Sequence, residues 1–248
     1  VKGELLVLGS FGAYPEAGNG TAGYLLTAGS FRLLLDAGSG VLRELLQTHR
    51  YEDVSACILS HYHFDHAADL GPLLYAQQLL RERKSLPPFA AYVPREPEGA
   101  ASPYVGISGT EAHLYAEDEV LTIGPWRVRF RRTQHSVPAF AVRLELDDLH
   151  VVYTADAAYA DDLAAFAHGA SLLLADAFFY AGEEDKASAR GHMTSRQAGR
   201  LAREAGVRTL VLTHLPHEGI PVLLVEEAKA EFPGEVLLAS PGLRIPLS

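Results

Sequence analysis

Cysteine, methionine, tryptophan and asparagine each occur once in the 248-residue chain. The lone cysteine, Cys57, excludes an internal disulfide framework and any zinc site built on several thiolates. A metal would have to be held by His, Asp or Glu. Basic side chains are also short, 21 against 31 acidic ones, for a formal net charge of −10. That balance argues against a grip on nucleic acid spread over the whole surface, while leaving room for a local cationic pocket. Long apolar runs are missing. Nothing approaches the roughly 18 residues of a membrane span, so no membrane partner is expected. The opening segment VKGELLVLGS lacks a cleavage region and reads as a strand, which makes the cytoplasm the expected compartment.

What is present is a globular composition, 48% hydrophobic and 21% charged, with 11 histidines. No internal repeat or low-complexity tract interrupts it. Gly/Pro-rich stretches at 9–23 and 94–109 read as loops within a domain. Short apolar runs predict strands at Glu4–Leu8, Gly23–Thr27, Phe31–Leu35 and Val54–Leu59. Helical spacing follows at Val41–Thr48 and, as one long helix, at Asp65–Lys84. Further strands are expected at Arg127–Thr133, Ala139–Leu146 and His150–Thr154, with Asp147-Asp148 as a turn. Thereafter strands (Leu172–Ala175, Thr209–Thr213, Val236–Leu238) alternate with helices (Ser195–Ala205, Val222–Ala230). Thr194 and Gly206 suit the two caps of the first of these helices. Two halves, each of strands followed by helices, predict a layered α/β protein with sheets inside and helices outside.

The chemistry concentrates in Ser60-His61-Tyr62-His63-Phe64-Asp65-His66, directly after an expected buried strand. Alternate residues His61 and His63 can point to one side of a loop leaving the strand end. Asp65 and His66 lie where the chain turns into a helix and can face a second point nearby. Neutral imidazole with carboxylate suits Zn²⁺ or a similar first-row ion. Three more ligand types stand just past apolar strands: His135, Asp156 in Thr154-Ala155-Asp156, and His214 in Leu212-Thr213-His214. Strand ends are rigid places from which to hold a metal.

With these residues in order, the sequence resembles the metallo-β-lactamase superfamily over roughly residues 4–240. The resemblance implies one domain over 1–248, a four-layer αβ/βα sandwich with two central mixed sheets and helices outside. It implies that His61, His63 and His135 bind one divalent ion and Asp65, His66 and His214 a second, with Asp156 bridging. Asp36, in Leu35-Asp36-Ala37-Gly38, matches an early Asp that supports the histidine loop by hydrogen bonds. Zn²⁺ is the expected ion, with Mn²⁺ or Fe²⁺ accepted by the same ligands. Gly191-His192-Met193-Thr194 ahead of a helix resembles the ribonuclease Z branch. There the segment's His gives a proton to the leaving oxygen, held by an upstream carboxylate. His192 and Asp176 match those roles, Asp176 standing where the branch usually has Glu. Asp65 is also expected to orient the attacking water.

Two features depart from ribonucleases Z that process transfer RNA. Their long RNA-gripping arm falls between the third metal His and the bridging Asp, yet His135 and Asp156 are only 21 positions apart here. A PTKxRN-type substrate loop is absent, and the corresponding segment reads FGAYPEAGNGTAGY. The expectation is therefore a small or short phosphodiester as substrate, no extended nucleic-acid arm, and a homodimer by analogy with the branch. Hydrolysis of a thioester, lactone or aryl sulfate on the same metals is the competing enzymatic reading. A non-catalytic metal-binding module is the third. His49, His113, His150 and His168 are read as surface or helix-end residues, His217 as a loop residue and Cys57 as a small core residue.

Overall fold

The computed structural model describes residues 3–247. The chain divides into two compact units, one running through Ala116 and taking in Ser240–Pro246, the other Glu117–Ala239. In the first, β1 (Gly3–Phe11), β3 (Gly23–Ala28) and β4 (Phe31–Leu35) form an antiparallel meander, with β2 (Gly20–Thr21) paired parallel to β1. Three parallel strands follow: β5 (Ala56–Ile58), β6 (Phe89–Pro94) and β7 (Thr110–Tyr115). Helices α1 (Val41–Leu45), α2 (Phe64–Ala67) and α3 (Leu70–Lys84) lie in the connections. Leu6, Leu8, Leu25 and Leu34 of the strands pack with Val41, Leu45, Leu70, Leu73 and Leu74 of the helices in one buried cluster. Each such side chain contributes roughly 1.5–3 kcal/mol by leaving water.

The second unit uses the same plan. Strands β8 (Val120–Ile123), β9 (Trp126–Arg132), β10 (Phe140–Leu146) and β11 (Leu149–Tyr153) make the antiparallel meander. Strands β12 (Leu172–Asp176), β13 (Thr209–Thr213) and β14 (Glu235–Leu238) continue it in parallel. The crossovers carry α4 (Asp161–Ala167), α5 (Glu184–Arg190), α6 (Ser195–Ala205) and α7 (Pro221–Lys229). The last strand, β15 (Arg244–Leu247), returns to pair with β1. The inner strands β12 and β13 are mostly apolar and almost wholly buried, as parallel strands covered on both faces must be, while the edge strand β14 buries only Val236. On the outer side of the meander, Arg143, Arg127 and Arg129 all bond to Glu145. Burial would raise that carboxyl, but the three guanidiniums outweigh it and bring it to about 2.

Several expectations need correction. The helix predicted over Asp65–Lys84 is two helices. Pro72 has no N–H and its ring would strike the carbonyl of residue 68 in a continuous helix, so it sits in the first turn of α3 instead. At the break, the Asp69 N–H turns to Ala37 O (2.8 Å), and its carboxylate accepts the Leu42 N–H of α1 (2.9 Å). The helix at Val41–Thr48 stops at Leu45. The loop expected at 9–23 contains the end of β1 and all of β2. Strands β6, β7, β8 and β15 and helices α4 and α5 carried no expectation; β7 and β8 are half exposed and show no clean apolar alternation. The caps of α6 are as expected. Thr194 accepts the Gln197 N–H while Gln197 accepts that of Thr194, and Gly206 closes the helix at φ 63°.

Candidate metal centre

All the candidate residues but His192, which lies between α5 and α6, stand at or just past the C-terminal ends of strands, where α/β sheets expose their loops. In the first unit, Asp36 follows β4 and the Ser60–His66 loop follows β5. Asp36 adopts φ 57°, a left-handed conformation uncommon outside glycine. Its buried carboxylate accepts Ser60 N–H (2.6 Å), Ser60 Oγ–H (2.7 Å) and His66 Nδ1–H (2.8 Å). Ser60 Oγ, its proton given to Asp36, accepts from His61 Nδ1 at 3.0 Å. One carboxylate therefore fixes the tautomer of two histidines, directly for His66 and through Ser60 for His61. Both keep Nε2 as the lone-pair atom. His61 Nε2 lies 3.2 Å from His63 Nδ1, and His66 Nε2 lies 3.6 Å from Asp65 Oδ2.

Two tyrosines hold this loop to the sheet. The Tyr115 hydroxyl, fully buried at the end of β7, donates to Leu59 O (2.6 Å). Tyr62, between the paired histidines, donates to Pro94 O and stacks on Tyr104 (6.1 Å, 12°). Burial pushes the Tyr115 phenol well above its usual range, helped by the nearby Asp36 charge, so it remains a donor. Tyr115→Phe is expected to leave the Leu59 carbonyl short of its donor and cost about 1–3 kcal/mol. Denaturant unfolding should show a lower midpoint with an unchanged slope.

In the second unit, His135 follows β9, Asp156 follows β11, Asp176 ends β12 and His214 follows β13. His135 Nδ1 donates to Gly191 O (3.0 Å), again leaving Nε2 as the acceptor atom. Gly191 must be glycine: its φ is 75°, and a Cβ there would fall 2.6 Å from His135 Cα. Asp156 sends a different oxygen to each histidine, Oδ2 to His135 Nε2 (3.6 Å) and Oδ1 to His214 Nε2 (3.3 Å). Asp176, with no exposed side-chain surface, accepts Phe178 N–H (3.0 Å), Ala157 N–H (3.2 Å) and His192 Nδ1–H (2.7 Å). The His192 ring stacks on His214 (5.0 Å, 17°) and meets His135 edge-on (5.1 Å). Phe178 covers both His192 and His214, at 5.1 and 5.3 Å between ring centres.

The donor atoms fit divalent ions. Ligands about 2.0–2.1 Å from a tetrahedral metal stand about 3.3 Å apart. The four donor pairs above are separated by 3.2, 3.3, 3.6 and 3.6 Å. Neutral imidazoles with outward lone pairs beside carboxylates are the donor set such ions take. Asp156, Asp176, His192 and His214 also form a group whose ligand-type atoms lie within 4.8 Å of one another.

The other histidines have structural surroundings. His150 Nδ1 meets Arg143, His113 stacks on Tyr92, and His168 follows α4. Cys57 is buried in β5, and burial pushes its thiol far up. Sequence reasoning missed Tyr115 and Phe178 and the roles of Tyr62, Gly191 and Ser60. The last three carried a signal, Ser60 and Tyr62 in the histidine motif and Gly191 directly before His192.

A β-lactamase superfamily domain model matches residues 31–215, a span that contains every residue just described. The chain belongs to the metallo-β-lactamase superfamily. Within it, the chain is 40% identical over 243 residues to YhfI of Bacillus subtilis, described as a probable metallo-hydrolase, covering 96% of this chain and 98% of that one. The crystal structure of YhfI, a metallo-β-lactamase fold protein, superposes with a TM-score of 0.93 over 99% of each chain at 38% identity. The superfamily fold, α/β with two mixed sheets and helices, is thus the fold of this chain. A ribonuclease Z of Streptomyces avermitilis is 26% identical over 296 aligned positions, 98% of this chain and 97% of that one. That alignment exceeds the 248 residues of this chain, so the ribonuclease Z carries insertions relative to it.

Proposed function

We propose that this chain is a hydrolase dependent on two divalent metal ions and that it cleaves a small or short phosphodiester. The carrying observation is the His192–Asp176 pair standing against His135, Asp156 and His214. Likeness to a metallo-hydrolase and to a ribonuclease Z supports the reading. His61, His63 and His135 would hold one ion, Asp65, His66 and His214 the other, and Asp156 both. Zn²⁺ is the proposed ion, and a single domain, a homodimer and a cytoplasmic location complete the reading. Two such ions, when bound, would polarise the phosphoryl oxygen and lower the pKa of water between them toward about 7.

The residues then divide the remaining work. Asp36 and Ser60 keep His61 and His66 in the tautomer that presents Nε2. Asp65 accepts a hydrogen bond from the attacking water and turns its lone pair toward phosphorus. As the phosphorus–oxygen bond to the leaving group breaks, the protonated His192 gives its Nε2 proton to the departing oxygen. Asp176 holds the ring by Nδ1 and stabilises its charged form before transfer. Strands β10 and β11 with their two-residue turn fill the span from His135 to Asp156, which leaves no arm for a long RNA.

The test is a substrate panel on zinc- and manganese-reconstituted protein: cyclic nucleotides, short RNA, aryl phosphodiesters, a lactone and a thioester. Phosphodiester turnover should vanish with chelator and return with metal. A faster lactone or thioester reaction with no phosphodiester turnover would transfer the same machinery to the competing ester reading. Metal removal should also lower stability by about 3 kcal/mol or more at ion concentrations 100-fold above Kd. An unchanged melting curve in chelator, with no metal by elemental analysis, would return the chain to a non-catalytic role.

A further inference from the structure

Among the described residues, Phe64 is the most exposed large apolar side chain, at 86% of its surface, and it lies between the candidate ligands His63 and Asp65. Tyr14, 55% exposed, is the neighbour of Ala13, whose N–H bonds to Asp65, the neighbour of Phe64. The connection is explicit. Tyr14 N–H bonds back to Gly12 O (2.8 Å) across Ala13, whose φ is 63°. Such a three-residue turn is rare and strained at a residue other than glycine. It aims the Ala13 N–H at Asp65 Oδ2 (2.8 Å) and turns the chain outward at Tyr14. Two exposed aromatic rings thus flank one hydrogen bond, each a single residue from a partner in it.

A ring as exposed as that of Phe64, directly beside a candidate ligand, suits an apolar occupant. Phe64 lies outside the buried apolar cluster of this unit, against which its neighbour Tyr62 packs. A phosphodiester has two substituents, and the one that stays on phosphorus must lie somewhere near the ligands. We propose that Phe64 and Tyr14 form a stacking platform for a planar aromatic substituent, such as a nucleobase, on the non-leaving side of the substrate. This inference rests on the phosphodiester reading and sharpens it. Stacking of a base on an aromatic side chain is sequence-tolerant, and by its usual strength would favour a planar substituent by about 10-fold or more.

The experiment uses two esters with one leaving group, thymidine 5′-(p-nitrophenyl) phosphate and methyl p-nitrophenyl phosphate. Metal-loaded wild type should show kcat/KM at least about 10-fold higher for the thymidine ester, mainly through KM. In Phe64→Ala, and more so in Phe64→Ala/Tyr14→Ala, the ratio should fall toward one while the methyl ester is cleaved as before. A second arm needs no turnover: calorimetric binding of thymidine 5′-monophosphate against methyl phosphate should show the same preference and the same loss. A wild-type ratio near one, or a ratio untouched by both substitutions, overturns the platform. Should neither ester be cleaved, the phosphodiester reading fails by itself and the calorimetric preference decides the platform. A change of oligomeric state in Phe64→Ala, with the preference intact, would assign the rings to a second copy of the chain and overturn it as well.

Discussion

His192→Ala is expected to lower kcat by about 10²–10⁴-fold, the contribution of a positioned general acid, while leaving metal content unchanged. The size of the loss should depend on the leaving group. An alkoxide needs a proton to depart and would show the full effect, whereas p-nitrophenolate needs little help and would show a small one. That dependence separates proton donation from the other role open to this side chain. His192 shares a 4.8 Å group with Asp156, Asp176 and His214, so a metal ligand there would also be possible on distance. Loss of metal on substitution, with equal effects on both leaving groups, would establish the ligand role instead. Asp176→Asn should act in the same direction without touching the substrate. An amide carries no charge and can turn its NH₂ toward His192 Nδ1, so it no longer stabilises the doubly protonated ring that gives its proton from Nε2. It also leaves the Ala157 and Phe178 N–H groups with a weaker acceptor.

The candidate metal loop was legible because its residue types crowd into six positions after an apolar strand, a local pattern that needs no tertiary knowledge. His135, Asp156 and His214 were legible in a weaker way. Each follows an expected strand, and the strands run the same way: β9 and β11 are alternate strands of the antiparallel meander, and β13 runs parallel to β11. Asp176 was matched only through the resemblance, standing where the ribonuclease Z branch usually has Glu; the 2.7 Å hydrogen bond to His192 spans a crossover containing α5. The Ala13 turn and the Tyr115 clamp were illegible for a physical reason. Their partners are 52 and 56 residues away, and neither a backbone N–H nor a lone phenol leaves a periodic trace. The split between α2 and α3 was readable from Pro72, but the apolar spacing on either side of it masked the break. The half-exposed edge strands β7 and β8 are held by neighbours more than by their own pattern.

Asp156→Ala should have the largest effect of all: loss of at least one metal ion, affinity down by at least about 10²-fold, and kcat down by about 10³-fold or more. The argument lies in its two oxygens. Each approaches the Nε2 of a different histidine, at 3.6 and 3.3 Å, so one side chain serves both halves of the proposed pair. Its backbone is fixed as well, since Asp156 O accepts the Thr133 hydroxyl (2.7 Å) and Ala155 turns the chain at φ 52°. Two divalent ions bring four positive charges into a site whose proposed ligands offer only the carboxylates of Asp65 and Asp156. Removing one of two carboxylates raises the repulsion between the ions just where it removes their shared ligand. Asp156→Asn preserves the volume and one oxygen, and should therefore retain one ion, weakly bound, with catalysis still lost. Elemental analysis gives the stoichiometry, and melting with and without chelator gives the coupling. Wild type should lose stability in chelator, Asp156→Asn less, and Asp156→Ala least. Retention of two ions by Asp156→Ala would show that Asp156 is not shared between them. The stacked His192 and His214, with Asp176 behind them, would then be the groups to examine for the second ion.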